Sequence, residues 1–223
     1  MAVRTTLARN GTPRRSAAPP QLPPERPFDL TGTPLSFTRG EEIFGQGEPA
    51  EYIYRLISGC VRAYTTLNDG RRQVGAFYLP GDIFGLEARS VHNNSAESIT
   101  HGVVQALKRS EFETCPPNDI VTTLMLLNLT TAELHRTQDH ILLLLKSARE
   151  RVIGFLLDLA KRQHNQNEIE LPMSRQDIAD YLGLTIETVS RTLTRLETAG
   201  VISMTGTRRL VLRDRHALTQ LMA

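Results

Sequence analysis

Arg175-Gln-Asp-Ile-Ala-Asp-Tyr-Leu-Gly-Leu-Thr-Ile-Glu-Thr-Val-Ser-Arg191 is the stretch from which the rest of the chain can be read. Ser174 precedes it, and Asp177 lies three residues on, the spacing of a capping box with Asp in place of the usual Glu. Ile178, Leu182, Leu184 and Val189 supply an apolar core for two short helices. Ala179 is small where those helices must cross, and Gly183 accepts the left-handed turn between them. This is the pattern of a helix-turn-helix. Thr185 caps the second helix and places Ile186, Glu187, Ser190 and Arg191 in its first turns, which reach base edges when such a helix enters the major groove. Glu187 can accept a hydrogen bond from cytosine N4 or an adenine amino group, and Arg191 can donate twice to guanine O6 and N7. Their spacing of four sets both on one face. An ordinary exposed Glu–Arg pair is the alternative, and the surrounding packing pattern argues against it. Thr192 departs from the motif, which commonly has an apolar residue there.

After Gly200, Val201-Ile-Ser-Met204 and Leu210-Val-Leu212 flank Thr205-Gly-Thr-Arg-Arg209, a hairpin or wing with arginines near its tip. Arg208 and Arg209 are assigned to phosphate contact, together with Arg175, Thr185 and Thr188 beside the reading face. Such contacts position a protein without specifying sequence.

Upstream, Ser147-Ala-Arg-Glu150 is a second capping box. It ends one helix near Lys146 and starts another whose core face carries Val152, Phe155, Leu156 and Leu159. Before it, Ile120, Leu124, Leu127, Thr131, Leu134, Gln138, Ile141 and Leu145 are spaced alternately four and three apart, a heptad seam with two polar breaks. Leu126, Leu142, Leu143 and Leu144 add apolar surface beyond that seam. A long helix with two apolar faces needs two partners, so one face is expected on the chain's own N-terminal half and the seam in a parallel two-stranded coiled coil.

From about 35 to 112 short apolar runs alternate with turn residues: Tyr52–Ile57 before Ser58-Gly59, Val61–Tyr64 before Asn68-Asp69-Gly70, and Val74–Leu79 before Pro80-Gly81-Asp82. Asp69-Gly70 between two such runs signals a hairpin. Many short strands at regular spacing imply an antiparallel roll or sandwich. Residues 1–30, rich in Pro, Arg, Ala and Thr, are expected to be a flexible tail. The predicted fold class is α+β: a tail over 1–30, a jelly-roll-like β-roll over 31–116, a dimerisation helix over 117–146 and a winged helix-turn-helix over 147–223.

Composition bounds the function. The chain has 223 residues, 40% hydrophobic and 22% charged, with a formal charge of +2. No apolar run reaches the ~18–20 residues of a membrane span, and the arginine-bearing start lacks a secretory apolar stretch. A cytoplasmic protein is expected. Cys60 and Cys115 are too few for a disulfide scaffold or a cysteine-built metal site. The six histidines, His92, His101, His135, His140, His164 and His216, show no ligand grouping of the kind a cupin-like metalloenzyme needs. Neither a Gly-rich phosphate loop nor a nucleophile elbow occurs. An enzyme is not expected.

With these residues in place, the chain resembles the CRP/FNR superfamily, most closely its FixK-type branch. Gly59-Cys-Val-Arg62, Asp69-Gly-Arg-Arg-Gln73, Pro80-Gly-Asp-Ile-Phe-Gly-Leu-Glu87 and above all Arg175–Arg191 carry the resemblance, which runs from about residue 36 to the C-terminus. It implies a homodimer that binds double-stranded DNA at a palindromic TTGA-N6-TCAA-like site and recruits RNA polymerase, with Glu187, Ser190 and Arg191 as the reading triad. The seam residues Ile120, Leu124, Leu127, Leu134, Ile141 and Leu145 would form the dimer.

Departures from the family bear on the signal. Cyclic-nucleotide relatives hold the cyclic phosphate with an Arg-Ser pair, whereas this chain has Asn93-Asn-Ser-Ala-Glu-Ser98. A phosphodiester buried beside Glu97 without a cation would be strongly disfavoured. No cysteine precedes residue 60, so the N-terminal cysteine set of an iron–sulfur sensor is missing. His92 stands where haem-sensing relatives place a ligand, but a lone histidine in a polar loop is expected to be solvated. Ser190 closes the route of a recognition-helix thiol. The expectation is therefore a regulator without cofactor, and the resemblance implies an activator. A haem- or ligand-gated regulator, or a repressor of the same fold, is the alternative.

Overall fold

The computed structural model describes residues 32–113, 120–165 and 167–222. The tail expected over 1–30 lies outside them, as do residues 117–119 at the start of the expected long helix. Eight strands come first: β1 (Thr33–Phe37), β2 (Glu42–Phe44), β3 (Tyr52–Ser58), β4 (Val61–Thr66), β5 (Arg72–Tyr78), β6 (Ile83–Phe84), β7 (Ser95–Ser98) and β8 (Gly102–Lys108). They form two four-stranded sheets, β1-β8-β3-β6 and β2-β7-β4-β5, with every pairing antiparallel. The Asp69-Gly70 turn joins β4 to β5 as expected: Thr66 faces Arg72, and Gly70 takes φ +81°.

Strand β5 explains how the two halves of the chain share a core. Side chains alternate across a strand, so Ala76 and Tyr78 point between the sheets, with Phe44, Tyr54, Leu56 and Phe84. Phe77 and Leu79 point outward into a second core made with the C-terminal helices. There the Phe77 ring lies 6.1 Å from Phe155 and 5.2 Å from Tyr181. Burying side chains of this size contributes roughly 1.5–3 kcal/mol each.

After a short α1 (Arg109–Glu113), the long helix α2 runs Ile120–Leu144 and α3 runs Ala148–Arg162. Ser147 caps α3 in a complete capping box with Glu150. Arg151 in its first turn donates to the carbonyls of Lys146 at 2.9 Å and Leu182 at 3.0 Å, tying the end of α2 to the later helix pair. Farther along, Arg162 reaches back to the roll, donating to the Phe77 carbonyl at 2.7 Å and to Asp82 at 2.6 Å. The remaining elements are β9 (Glu168–Glu170), α4 (Arg175–Leu182), α5 (Ile186–Thr198), β10 (Ile202–Thr205), β11 (Arg209–Leu212) and α6 (Arg215–Gln220). Strands β10, β11 and β9 make a three-stranded antiparallel sheet.

Candidate nucleic-acid interface

Helix α4 starts at Ser174, whose hydroxyl accepts the Asp177 amide at 3.1 Å while Asp177 Oδ2 accepts the Ser174 amide at 2.9 Å. The helix stops at Gly183, which is left-handed at φ +61°. Ala179 and Leu182 are wholly buried where α4 meets α5. Thr185 caps α5 by accepting the Thr188 amide at 3.2 Å. Val189, Leu193 and Leu196 turn inward, so the helical period sends the other face out. Glu187, Ser190 and Arg191 all stand exposed on that outer face. The Glu187 carboxyl lies below its ordinary value, held there first by its own backbone amide, then by the Thr185 hydroxyl, with Arg191 adding to the effect. It is therefore an ionised acceptor at neutral pH. Thr192 satisfies its hydroxyl on the Thr188 carbonyl at 2.8 Å, which is how the motif accommodates a polar residue there.

The residues assigned to phosphate contact are placed less uniformly. Arg208 and Arg209 are exposed at the β10–β11 turn, where Gly206 takes φ +74°. Arg209 lies opposite Glu170 of β9 in the sheet register. That third strand is absent from the sequence reading, because Glu-Ile-Glu is too short an alternation to stand out. Thr185 and Thr188 share a hydroxyl–hydroxyl contact at 3.1 Å and serve the cap first. Arg175 is half-buried rather than free: burial lowers its pKa, with Glu197 opposing.

On its other side, α4 faces the roll. Arg62 and Arg72 both donate to Asp177 Oδ1, and Arg72 also holds Asp180 Oδ2 at 3.1 Å. The capping-box carboxylate thus has a second task that residue spacing could not reveal, since its partners lie over a hundred residues away. Arg62 also answers an earlier expectation. Glu97 is not without a cation, because the Arg62 guanidinium donates to both its oxygens at 2.8 Å.

The loop 85–98 is closed by its own side chains. His92, expected in solvent, is buried, with its ring stacked 3.6 Å from Phe44 and Nδ1 3.6 Å from Glu87. The apolar face of Phe44 was not visible from the polar loop sequence. Glu87 also accepts the Asn93 side-chain amide at 2.6 Å. The cavity between this loop and α2 holds about 130 Å³, and carboxylates of Glu87 and Glu133 line it. Buried Cys60 has its thiol pushed up to about 12, so it is not a nucleophile at neutral pH. Among the described residues, no three His, Cys, Asp or Glu side chains are grouped to hold a metal ion. No helix among them is long and apolar enough to cross a membrane.

Helix α2 does not divide into the two expected faces: Leu142, expected on the inner face, is 59% exposed, and Leu143 packs on the core of the C-terminal helices instead of on the roll. Thr122 is buried, and Glu133 pairs with Arg136, whose guanidinium lies 5.2 Å from the Tyr78 ring centre of the roll. Ile120, Leu124, Leu127, Leu134, Ile141 and Leu145 are exposed, between 51% and 78%.

Comparison with known proteins matches residues 150–221 to a Crp-like helix-turn-helix domain and residues 34–116 to a cyclic nucleotide-binding domain. The nitrogen fixation regulation protein FixK of Azorhizobium caulinodans is 48% identical over 96% of this chain and 87% of its own length. FixK of Rhizobium meliloti is 40% identical over 87% of this chain and 90% of its own. The solved structure of FixK2 from Bradyrhizobium japonicum superposes with a TM-score of 0.83 at 48% identity, covering 86% of this chain and 98% of that one.

Proposed function

Since the chain belongs to the FixK-type branch of the CRP/FNR transcription regulators, we propose that it acts as a homodimeric activator. It binds a TTGA-N6-TCAA-like palindrome and recruits RNA polymerase without an effector. The observation that carries this reading is the outer face of α5, where an ionised Glu187, Ser190 and Arg191 stand exposed together above a fully buried Val189. Arg191 reads the guanine of each half-site and Glu187 an amino group beside it. Arg208 and Arg209 hold the flanking phosphates. The apolar residues exposed along α2 are the surface a second copy covers, since monomeric proteins rarely leave contiguous apolar patches in water. Half-sites in such a palindrome lie about ten base pairs apart, one helical turn, so both α5 helices enter the same side of the duplex.

Support for the effector-free reading comes from the 85–98 loop. A cyclic phosphate there would meet Glu87 and Glu133, and the Arg62 guanidinium is already committed to Glu97 and Asp177. His92 is held against Phe44, so the haem-gated alternative gains no support from its position.

Selection from random duplexes tests the site, and transcription in vitro with purified polymerase tests the outcome. The expected winner is a two-fold symmetric TTGA–TCAA sequence that raises transcript yield from a promoter carrying it. An asymmetric consensus would contradict the dimeric reading, and a lower yield would make the protein a repressor.

A further inference from the structure

Two strands of one sheet, backed by a third, grip the first helix of the reading head. Arg62 of β4 donates to Asp177 Oδ1, and Arg72 of β5 donates to the same oxygen at 2.9 Å. One turn along α4, Asp180 Oδ2 takes Arg72 Nη2 at 3.1 Å and Nε at 3.3 Å. Gln73 adds a bond to the Asp180 carbonyl at 2.6 Å. Behind Arg62 stands Glu97 of β7, which fixes the guanidinium from the roll side. The Asp177 and Arg62 side chains are only 5% and 13% exposed.

This is not an ordinary surface ion-pair patch. Exposed pairs are worth little because water screens them, whereas these charges are largely removed from water, and each has a defined second partner. The grip also leaves the reading face open. Every charged group it uses lies on the roll side of α4, while Glu187, Ser190 and Arg191 remain exposed on α5.

Resting on the DNA-reading function above, we propose that Arg62, Arg72, Asp177 and Asp180 are positioning residues for recognition of a two-fold site. They hold each head at one angle to its roll, so that the two α5 helices of the dimer are presented in register without an effector. A head free to swing spends only part of its time able to engage the second half-site, and the apparent affinity for the palindrome falls by that fraction. A single half-site needs one head only and does not report its angle.

The test uses the full chain carrying Arg62→Ala and Arg72→Ala, which leaves the Ser174–Asp177 cap and the reading residues in place. Binding is titrated by fluorescence anisotropy on the palindrome and on a duplex of equal length with one half-site, with dimerisation checked by sedimentation. The palindrome should bind about tenfold more weakly, within the usual range of coupling between sites, and the half-site unchanged. Arg72→Lys should lose less than Arg72→Ala. Equal losses on both duplexes, or no loss on the palindrome, would overturn the proposal. Where the double variant fails to fold by circular dichroism, Arg72→Ala alone carries the same comparison, because Arg72 is the more exposed arginine. If the unmodified protein prefers neither duplex over scrambled DNA, the DNA-reading function is what fails. Hydrogen exchange then judges the grip: α4 amides should exchange faster in the variant, and unchanged exchange would overturn it.

Discussion

Asp177 receives Arg62 on one carboxylate oxygen and caps its own helix with the other. One side chain therefore sets both where α4 begins and what it is fastened to.

Asp177→Ala removes the carboxylate half of the capping box, leaving the Ser174 hydroxyl on the residue 177 amide, and leaves Arg62 largely buried with Glu97 as its remaining carboxylate. Breaking a buried pair from one side costs about 3–5 kcal/mol, and the lost hydrogen bond to the Ser174 amide about 1 kcal/mol. Asp177→Asn keeps an acceptor for the Ser174 amide and should cost less. Urea unfolding of the two variants measures the difference. Equal stability of both with the unmodified protein would mean that the carboxylate supports nothing.

Base reading and phosphate contact separate by their dependence on sequence and salt. Arg191→Ala should weaken specific binding by about 1–3 kcal/mol and relax the preference at the half-site guanine. Arg208→Ala or Arg209→Ala should weaken all duplexes alike and lower the salt slope by about one unit per lost contact. A loss at Arg191 that is equal on scrambled DNA would remove it from the reading set.

Leu134 is 56% exposed at the middle of the α2 seam. Leu134→Asp places a charge against its symmetry mate in the dimer, at a cost of several kcal/mol. Sedimentation should show monomer, with binding to the two-half-site duplex lost. A variant that stays dimeric would move the interface elsewhere.

Acid should loosen the fold through two histidines. Burial lowers the pKa of His140, whose Nε2–H donates to the Tyr181 carbonyl at 2.9 Å and offsets part of the shift. Burial lowers that of His92 as well, against the opposing pull of Glu87. Unfolded histidine titrates near 6.5. A depressed folded value means the unfolded chain takes up protons first, so the stability is fully present above about 6.5 and is lost as pH falls through the folded values. Urea midpoints measured from pH 7.5 downward should fall, and His140→Gln should flatten the profile. A midpoint that rises on acidification would contradict this.

The elements set by local chemistry were legible in advance. Ser147–Glu150, Ser174–Asp177, Gly183 and Thr185 act within a few residues of themselves, and the structure places each cap and turn at the predicted position. The six apolar seam positions are exposed along and just past α2, as are Val121 and Leu142 outside the seam. Long-range partners were not legible. Nothing in the loop around His92 announces the Phe44 ring, nothing near Glu97 announces Arg62, and β9 needs β11 beside it to exist as a strand. Arg175 sits in the motif yet is half-buried beside Glu197, because tertiary packing rather than the motif decides its exposure.

The most direct measurement of the account is a titration of freshly purified dimer, free of metal and nucleotide, on a palindromic TTGA–TCAA duplex in moderate salt. Fluorescence anisotropy should give half-saturation at about 10⁻⁸ M or tighter, as is typical of specific sites. Cyclic AMP or cyclic GMP should change that affinity by less than about twofold, since a ligand shifts a conformational equilibrium only by its differential affinity for the two states. A gain of about tenfold or more on adding either nucleotide, or a coloured cofactor copurifying with the binding activity, would contradict the effector-free account.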